Sequence, residues 1–187
     1  MSAILEIPEV RKRVSPLTPE EYHRLDEFNE HGRRTELIRG IVIEKMSKSP
    51  LHSYLAKRLY DIITALAPKG VVIRREDPLA LADSEPEPDI AVVRGSDKDF
   101  LKDHPRTAEL VIEVAVSSVL LDRESASLYA EAGVKEYWIV LGNEKKIEVY
   151  RHPQSGHYKE QTLLGLDEAI QSPVVPEIRI RLRELFL

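Results

Sequence analysis

The stretch between residues 110 and 141 constrains the fold of this chain more than any other part of the sequence. Residues 110–116 (Leu-Val-Ile-Glu-Val-Ala-Val) form a nearly continuous apolar run, which is typical of a strand buried on both faces. Residues 120–132 predict a helix that ends before Gly133, and residues 136–141 predict a second strand. A strand, a helix and a strand joined by short loops form a crossover unit. The sequence therefore predicts a mixed α/β fold in which helices pack against a central sheet.

The N-terminal part of the sequence predicts a lead-in, a helix and a hairpin. At 187 residues the length fits a single domain spanning residues 1–187, with residues 1–15 as a loose lead-in. A helix is expected to begin after Thr18, which can accept a hydrogen bond as its cap, and Glu21 can close a capping box. This helix is expected to end near Glu30.

The rest of the sequence predicts a hairpin, further helices and further strands. Residues 35–46 predict a β-hairpin that turns at Arg39-Gly40. Apolar residues at helical spacing after Pro50 predict a second helix, which ends near Pro68. Strands are expected at residues 71–75, 88–93, 147–150, 158–163 and 178–180, and a short helix at residues 182–187.

Composition and missing motifs exclude several classes of protein. There is no cysteine, so disulfides, thiolate metal sites and cysteine nucleophiles are excluded, and the composition suits a reducing cytoplasm. No apolar run approaches the ~18 residues that cross a membrane, and we expect neither a membrane span nor a signal peptide. The net charge of -5 argues against a basic coat for nucleic acid. Residues 1–75 nevertheless carry 14 Lys or Arg against 10 Asp or Glu, so this half can offer a local basic face.

Three carboxylates carry the candidate chemistry. Glu113 lies in the middle of the apolar strand, Asp89 opens another apolar strand directly after a proline, and Glu36 begins the apolar Leu37-Ile38 run. Burying an ionised carboxylate without a partner costs several kcal/mol. A shared divalent cation removes this cost, because hard cations such as Mg²⁺ take carboxylate oxygens as ligands.

Simpler explanations remain open for each of these residues. An acid at a strand edge is often merely solvated. The acids can also form internal ion pairs with an arginine such as Arg39, Arg74 or Arg123. We interpret His52, at the start of the second helix, as a surface or capping residue in preference to a catalytic one.

The order of these residues resembles the Uma-two family of endonucleases, which is part of the PD-(D/E)XK nuclease superfamily. The likeness covers most of the chain. It rests on residues 35–40 (TELIRG), His52 at a helix start, residues 87–90 (EPDI), residues 113–115 (EVA) and residues 133–140 (GVKEYWIV). A single Pro-Asp pair is uninformative, whereas the ordered set of motifs is specific.

This resemblance implies a restriction-endonuclease-like core, with a mixed central sheet flanked by helices. It implies that Glu36, Asp89 and Glu113 converge on a site for Mg²⁺ or Mn²⁺. Asp89 and Glu113 would bind the metal together with the backbone carbonyl of Val114, and Glu36 would bind it directly or through water. Such a site supports hydrolysis of phosphodiester bonds, because a metal polarises a phosphoryl oxygen and helps to generate hydroxide.

The sequence departs from the family pattern at the catalytic cation, which is usually a lysine. The residue two positions after Glu113 points to the same face of the strand and is Ala115. The family usually places its lysine on the following helix, four residues before the tyrosine that corresponds to Tyr129, and this position is Ser125. Arg123 is the nearest cation in the sequence, but it projects about 200° away from Ser125 on an ideal helix.

Two functions of different classes therefore remain. The first is a metal-dependent DNA endonuclease, weakened by Ser125 at the lysine position, with Arg39, Lys48 and Arg123 as candidate contacts to nucleic acid. The second is a degenerate nuclease fold that binds nucleic acid or a protein partner without turnover. Lys135 is a further candidate for the missing cation. Nucleases of this superfamily often pair to cut both strands, so we expect a homodimer or a higher homo-oligomer.

Overall fold

The structure is a computed structural model that describes residues 8–26, 32 and 34–186. Within these ranges, no helix combines the length and apolar character that a membrane span requires. The helices are α1 (Pro8–Arg11), α2 (Pro19–Asp26), α3 (Pro50–Leu66), α4 (Val119–Glu131) and α5 (Leu182–Phe186). The strands are β1 (Thr35–Ile38), β2 (Ile41–Glu44), β3 (Val71–Arg74), β4 (Ile90–Arg94), β5 (Leu110–Ala115), β6 (Glu136–Leu141), β7 (Lys146–Gln154), β8 (His157–Leu164), β9 (Ala169–Gln171) and β10 (Arg179–Arg181).

The described residues form two compact units, and the first contains the described part of residues 8–45 together with residues 82–86. In this unit β1 and β2 pair antiparallel, and the turn between them holds Arg39 and Gly40 at positive φ. Two such residues in a row match the twist of a tight hairpin, so the predicted hairpin is confirmed. The assignment of residues 1–187 to one domain stays a prediction.

The capping box predicted for the first unit is present. The backbone N–H of Thr18 donates to Glu21 Oε2 at 2.9 Å, and the N–H of Glu21 donates to Thr18 Oγ1 at 3.2 Å. These reciprocal bonds satisfy two donors at the start of α2. The predicted end near Glu30 lies outside the described residues. The helical turn α1 falls inside the stretch that we expected to be a loose lead-in.

The second unit, which contains residues 46–81 and 87–186, is built on a six-stranded sheet in the order β3-β4-β5-β6-β7-β8. Strands β5 and β6, which flank α4, are parallel, and the other neighbouring pairs are antiparallel. This is the predicted mixed α/β architecture with its crossover unit. The sequence analysis missed β9, a three-residue strand that pairs with β10 in a small separate sheet.

Helix α3 covers one face of the six-stranded sheet. Its buried residues Leu55, Leu59 and Ile63 belong to the same core cluster as Ile112 and Trp138. Burial of apolar side chains stabilises this layer by roughly 1.5–3 kcal/mol for each fully buried large residue. Trp138 is fully buried in this layer.

Helix α4 is associated with the opposite face of the sheet. A row of tyrosine rings, with centroids 4.8 to 6.0 Å apart, leads from this helix across the strands: Tyr129, Tyr137, Tyr150 and Tyr158. The register also aligns Glu113 on β5 with Ile139 on β6, and Ile139 with Glu148 on β7. Paired residues point to the same face of a sheet, so Glu113 and Glu148 share a face with one strand between them.

Candidate active site

Two of the predicted acids, Asp89 and Glu113, lie together where β4 begins beside β5. The backbone N–H of Asp89 donates to Glu113 Oε2 at 3.1 Å. In return, the N–H of Val114 donates to Asp89 Oδ2 at 2.9 Å. The Glu113 carboxylate therefore accepts from the backbone of Asp89, and the Asp89 carboxylate accepts from the backbone of the residue that follows Glu113. This exchange continues the antiparallel register of Ile90 with Ile112 by one residue pair and fixes both side chains.

Asp89 is the more deeply buried of the two acids, with 8% of its side chain exposed. Burial on its own raises the pKa of Asp89, because it disfavours the charged form. Four lowering effects together outweigh burial: the hydrogen bond and the charge of His52, the hydrogen bond from the Val114 N–H and the charge of Lys48. The pKa of Asp89 therefore lies below its usual value. The fold therefore keeps Asp89 ionised.

Glu113 is oriented by the helix that follows its strand. Tyr129, on α4, donates its hydroxyl to Glu113 Oε1 at 3.0 Å. Tyr129 is itself buried, so this bond ties the carboxylate to the core of the α4 face. The two oxygens of Glu113 thus accept from different elements, one from Tyr129 and one from the backbone of Asp89.

The start of α3 brings the side chain of His52 to Asp89. Ser49 caps the helix by accepting the N–H of His52 at 3.2 Å. His52 Nε2 lies 3.0 Å from Asp89 Oδ2, and 15% of its side chain is exposed. The interpretation of His52 as a surface or capping side chain was therefore wrong: the cap is Ser49, and the imidazole is directed inward to the acid.

Lys48 lies just before this cap and reaches the second oxygen of Asp89. Its Nζ is 3.2 Å from Asp89 Oδ1 and 2.7 Å from Glu76 Oε1. The sequence analysis treated Lys48 as a nucleic-acid contact and did not consider Glu76. These contacts join residues more than 25 positions apart in the sequence, and no motif marks them. The likeness at His52 was the one signal that this helix start matters.

The third predicted acid, Glu36, lies on β1 in the first unit. Its Oε2 is 3.7 Å from Lys45 Nζ, and both side chains are mostly buried. The convergence of Glu36 with Asp89 and Glu113 stays a prediction. Arg39, in the hairpin turn of the same unit, lies 3.8 Å from Asp83 through its Nη1 and is partly exposed.

Helix α4 carries the two remaining predicted residues, Ser125 and Arg123. The hydroxyl of Ser125 donates to the carbonyl of Leu121 at 3.0 Å, one turn earlier in the same helix. Arg123 binds Glu148 on β7 through Nε, at 3.1 Å from both carboxylate oxygens, and also through Nη2. The arginines named as rival partners of the buried acids thus contact other groups, and Arg74 lies 3.0 Å from His104.

The carboxylate oxygens of this site fit a divalent cation whose coordination shell is completed by other ligands. Among the described residues, no group of three or more His, Asp or Glu side chains is arranged to hold a metal ion. Mg²⁺ does not require such a group, since it is usually bound by one or two carboxylates together with waters and substrate phosphates. Asp89 and Glu113 supply two fixed carboxylates of this kind. The two carboxylates therefore fit a divalent cation that takes its remaining ligands from outside these side chains.

A comparison with protein families identifies the chain. The family model Uma2, described as "Putative restriction endonuclease", matches residues 19–183. The chain belongs to the Uma2 family. The match includes every predicted site residue and confirms the resemblance drawn from the sequence. No match was found among curated proteins.

A solved structure supports the fold of this Uma2 protein independently. The chain is similar to the crystal structure of a "putative nuclease belonging to DUF820" from Anabaena variabilis, with 20% identity and a TM-score of 0.78. The similarity covers 91% of this chain and 98% of that chain. At this identity the similarity concerns the fold, which is restriction-endonuclease-like as the sequence analysis predicted. Family and fold together support a nuclease.

Proposed function

We propose that this protein is an endonuclease that hydrolyses phosphodiester bonds of DNA with the help of Mg²⁺ or Mn²⁺. The observation that carries the proposal is the reciprocal bonding of Asp89 and Glu113, which fixes two carboxylates side by side at the end of a strand pair. Membership of the Uma2 family and the restriction-endonuclease-like fold support the reaction class.

In this proposal the chain's own residues hold and orient the reacting groups. Asp89 and Glu113 would bind the cation, with the carbonyl of Val114 as a further ligand and Glu36 contributing directly or through water. When bound, the cation supplies a positive charge that polarises a phosphoryl oxygen and favours hydroxide over water. Tyr129 keeps the Glu113 carboxylate in one orientation, and His52 does the same for Asp89.

Several finer points belong to the same proposal. Arg39 and Arg123 are candidate contacts to the phosphate backbone, since both side chains are partly exposed. A homodimer or higher homo-oligomer would place two sites on one duplex, which cutting both strands requires. The absence of cysteine from the sequence suits a cytoplasmic location.

A supercoiled-plasmid nicking assay with Mg²⁺ and with Mn²⁺ tests the proposal. The parent is compared with Asp89→Ala and Glu113→Ala, and with Asp61→Ala on the exposed side of α3 as a control. We expect nicking by the parent and the control, and loss of nicking in both site variants. Absence of nicking by the parent with either ion would contradict the proposal. Equal nicking by all four proteins would also contradict it, because it indicates a contaminating nuclease.

One observation favours a second function, the same fold binding nucleic acid or a partner protein without turnover. The hydroxyl of Ser125, at the position of the family's usual lysine, is bonded to the carbonyl of Leu121 and supplies no charge. This candidate predicts DNA retention in a gel-shift assay by a parent protein that shows no nicking. Nicking that disappears in Asp89→Ala rules it out.

A further inference from the structure

We infer that Lys48 supplies the positive charge that the family usually obtains from a lysine at the position of Ser125. The inference rests on the proposed endonuclease function and assigns Lys48 a positioning role in that reaction. Phosphodiester hydrolysis gains from a cation that orients the attacking water and offsets the charge of the transition state. The ammonium group of Lys48 lies beside Asp89 and can serve as this cation.

The position of the Lys48 ammonium is fixed from two sides. Asp89 Oδ1 lies at 3.2 Å and Glu76 Oε1 at 2.7 Å, and 25% of the lysine side chain is exposed. An ammonium has three N–H donors. Two of them are directed at these carboxylates, and the third can hydrogen-bond a water or a phosphoryl oxygen beside Asp89. A group fixed in this way costs little reorganisation when charge develops in the transition state.

The local sequence explains why Lys48 arrives at this place. Ser49 is extended, with ψ of 159°, and caps α3, while Pro50 provides the first helical residue. Lys48 therefore precedes the helix, and His52 lies within its first turn. The two side chains reach the two oxygens of Asp89 from the same helix start. The cap thus positions both groups at once.

The other candidate cations are engaged elsewhere. Arg123 binds Glu148 with two of its nitrogens. Lys135 donates to both oxygens of Glu109, at 2.8 and 2.9 Å. Lys48, in contrast, contacts Asp89, which is one of the two acids proposed to bind the metal ion.

The test compares three variants in the plasmid nicking assay under single-turnover conditions. Lys48→Gln removes the charge and keeps a hydrogen-bond donor, Lys48→Arg keeps the charge, and Lys57→Gln is a control on the exposed face of α3. We expect Lys48→Gln to lower the maximal rate by about 10²–10³-fold. We expect Lys48→Arg to lose at most about tenfold, and Lys57→Gln to match the parent.

A second readout separates a role in the reaction from a structural one. The affinity for Mn²⁺, measured by calorimetry without DNA, and the DNA concentration at half-maximal rate should both stay within about threefold of the parent in Lys48→Gln. The double variant Lys48→Gln/Ser125→Lys should recover part of the lost rate. Ser125 lies one helical turn before Tyr129, so a lysine there extends from the helix face that contacts Glu113.

Each outcome decides the inference. A Lys48→Gln rate equal to that of Lys57→Gln overturns it and leaves the proposed function intact, provided that Asp89→Ala abolishes nicking. Loss of Mn²⁺ affinity or of thermal stability in Lys48→Gln, in proportion to the loss of rate, assigns Lys48 a structural role and also overturns it. If Lys48→Gln does not fold, a Lys48→Arg rate lowered beyond 10²-fold overturns the inference and a rate near the parent supports it. A parent that does not nick DNA overturns both proposals.

Discussion

Glu113 and Glu148 lie on one face of the sheet with a single strand between them, yet their surroundings differ. Both accept a tyrosine hydroxyl, from Tyr129 at 3.0 Å and from Tyr150 at 2.8 Å. Glu148 is also bound by the guanidinium of Arg123 through two nitrogens. Glu113 instead accepts the backbone N–H of Asp89, a second acid.

This difference separates a structural acid from a candidate functional one. An arginine that binds a carboxylate through two nitrogens satisfies its hydrogen-bond acceptors and balances its charge. Two neighbouring carboxylates repel each other, and this repulsion falls when a cation binds between them. The surroundings of Glu148 therefore serve the fold, whereas those of Glu113 fit the divalent cation that we propose.

The largest expected effect sharpens this comparison by removing one charge from each acid. Glu113→Gln should lower the plasmid nicking rate by at least about 10²-fold, because it removes a charged oxygen that we propose as a ligand of the metal ion. Glu148→Gln makes the same chemical change at the other acid and should change the nicking rate by less than about threefold. The two variants are matched controls for each other. An equal loss of rate in both would show that the two acids do not differ as we describe.

The two tyrosines provide a smaller test of the same contrast. Tyr129→Phe releases Glu113 and should lower the nicking rate by about tenfold, as loss of a group that orients a metal ligand does. Tyr150→Phe should leave the rate unchanged. Each variant should lose about 1–3 kcal/mol of unfolding free energy in urea, because each removes a hydrogen bond to a charged group. A lower rate in Tyr150→Phe, with Tyr129→Phe unaffected, would reverse our assignment.

The smallest expected effect concerns the pH dependence of stability at Glu148. Burial raises the pKa of this acid, but the hydrogen bonds from Arg123 and Tyr150 together with the charge of Arg123 outweigh burial and lower the pKa below its usual value of 4.5. A lowered pKa stabilises the fold above the unfolded value, and this contribution is lost as the pH falls through the folded value. The gap in Tm between the parent and Glu148→Gln should therefore be largest near pH 6. It should shrink below about pH 4.5, and a constant gap down to pH 3 would argue against the pair.

Much of the fold followed from the sequence because its signals are local. The apolar run of β5, the Thr18 capping box and the Arg39-Gly40 turn each depend on residues a few positions apart. The strand β9 was missed because it offers a single isoleucine between Ala169 and Gln171, whereas the region of β10 was predicted from the alternating Ile178 and Ile180. The turn α1 was missed because four residues cannot show a helical pattern.

The candidate site could be predicted only in part. Asp89 and Glu113, which the structure brings together, could be singled out because an acid in an apolar strand is unusual and because the resemblance names them. Lys48 was predicted only as a contact to nucleic acid, and Glu76 was not considered. The contacts of Lys48 with Glu76 and Asp89 depend on how α3 and β3 pack around β4. Arg123 was a possible partner in the sequence, but the register of β7 determines that it binds Glu148.

The most direct test of the central claim is a titration of the purified protein with Mn²⁺, followed by the electron paramagnetic resonance signal of the free ion. The parent, Glu113→Gln and Glu148→Gln are compared at the same protein concentration. We predict that the parent and Glu148→Gln bind Mn²⁺ with the same affinity, and that Glu113→Gln binds it at least about tenfold more weakly. Equal binding by all three proteins, or weaker binding in Glu148→Gln alone, would contradict the claim that Asp89 and Glu113 form the metal site.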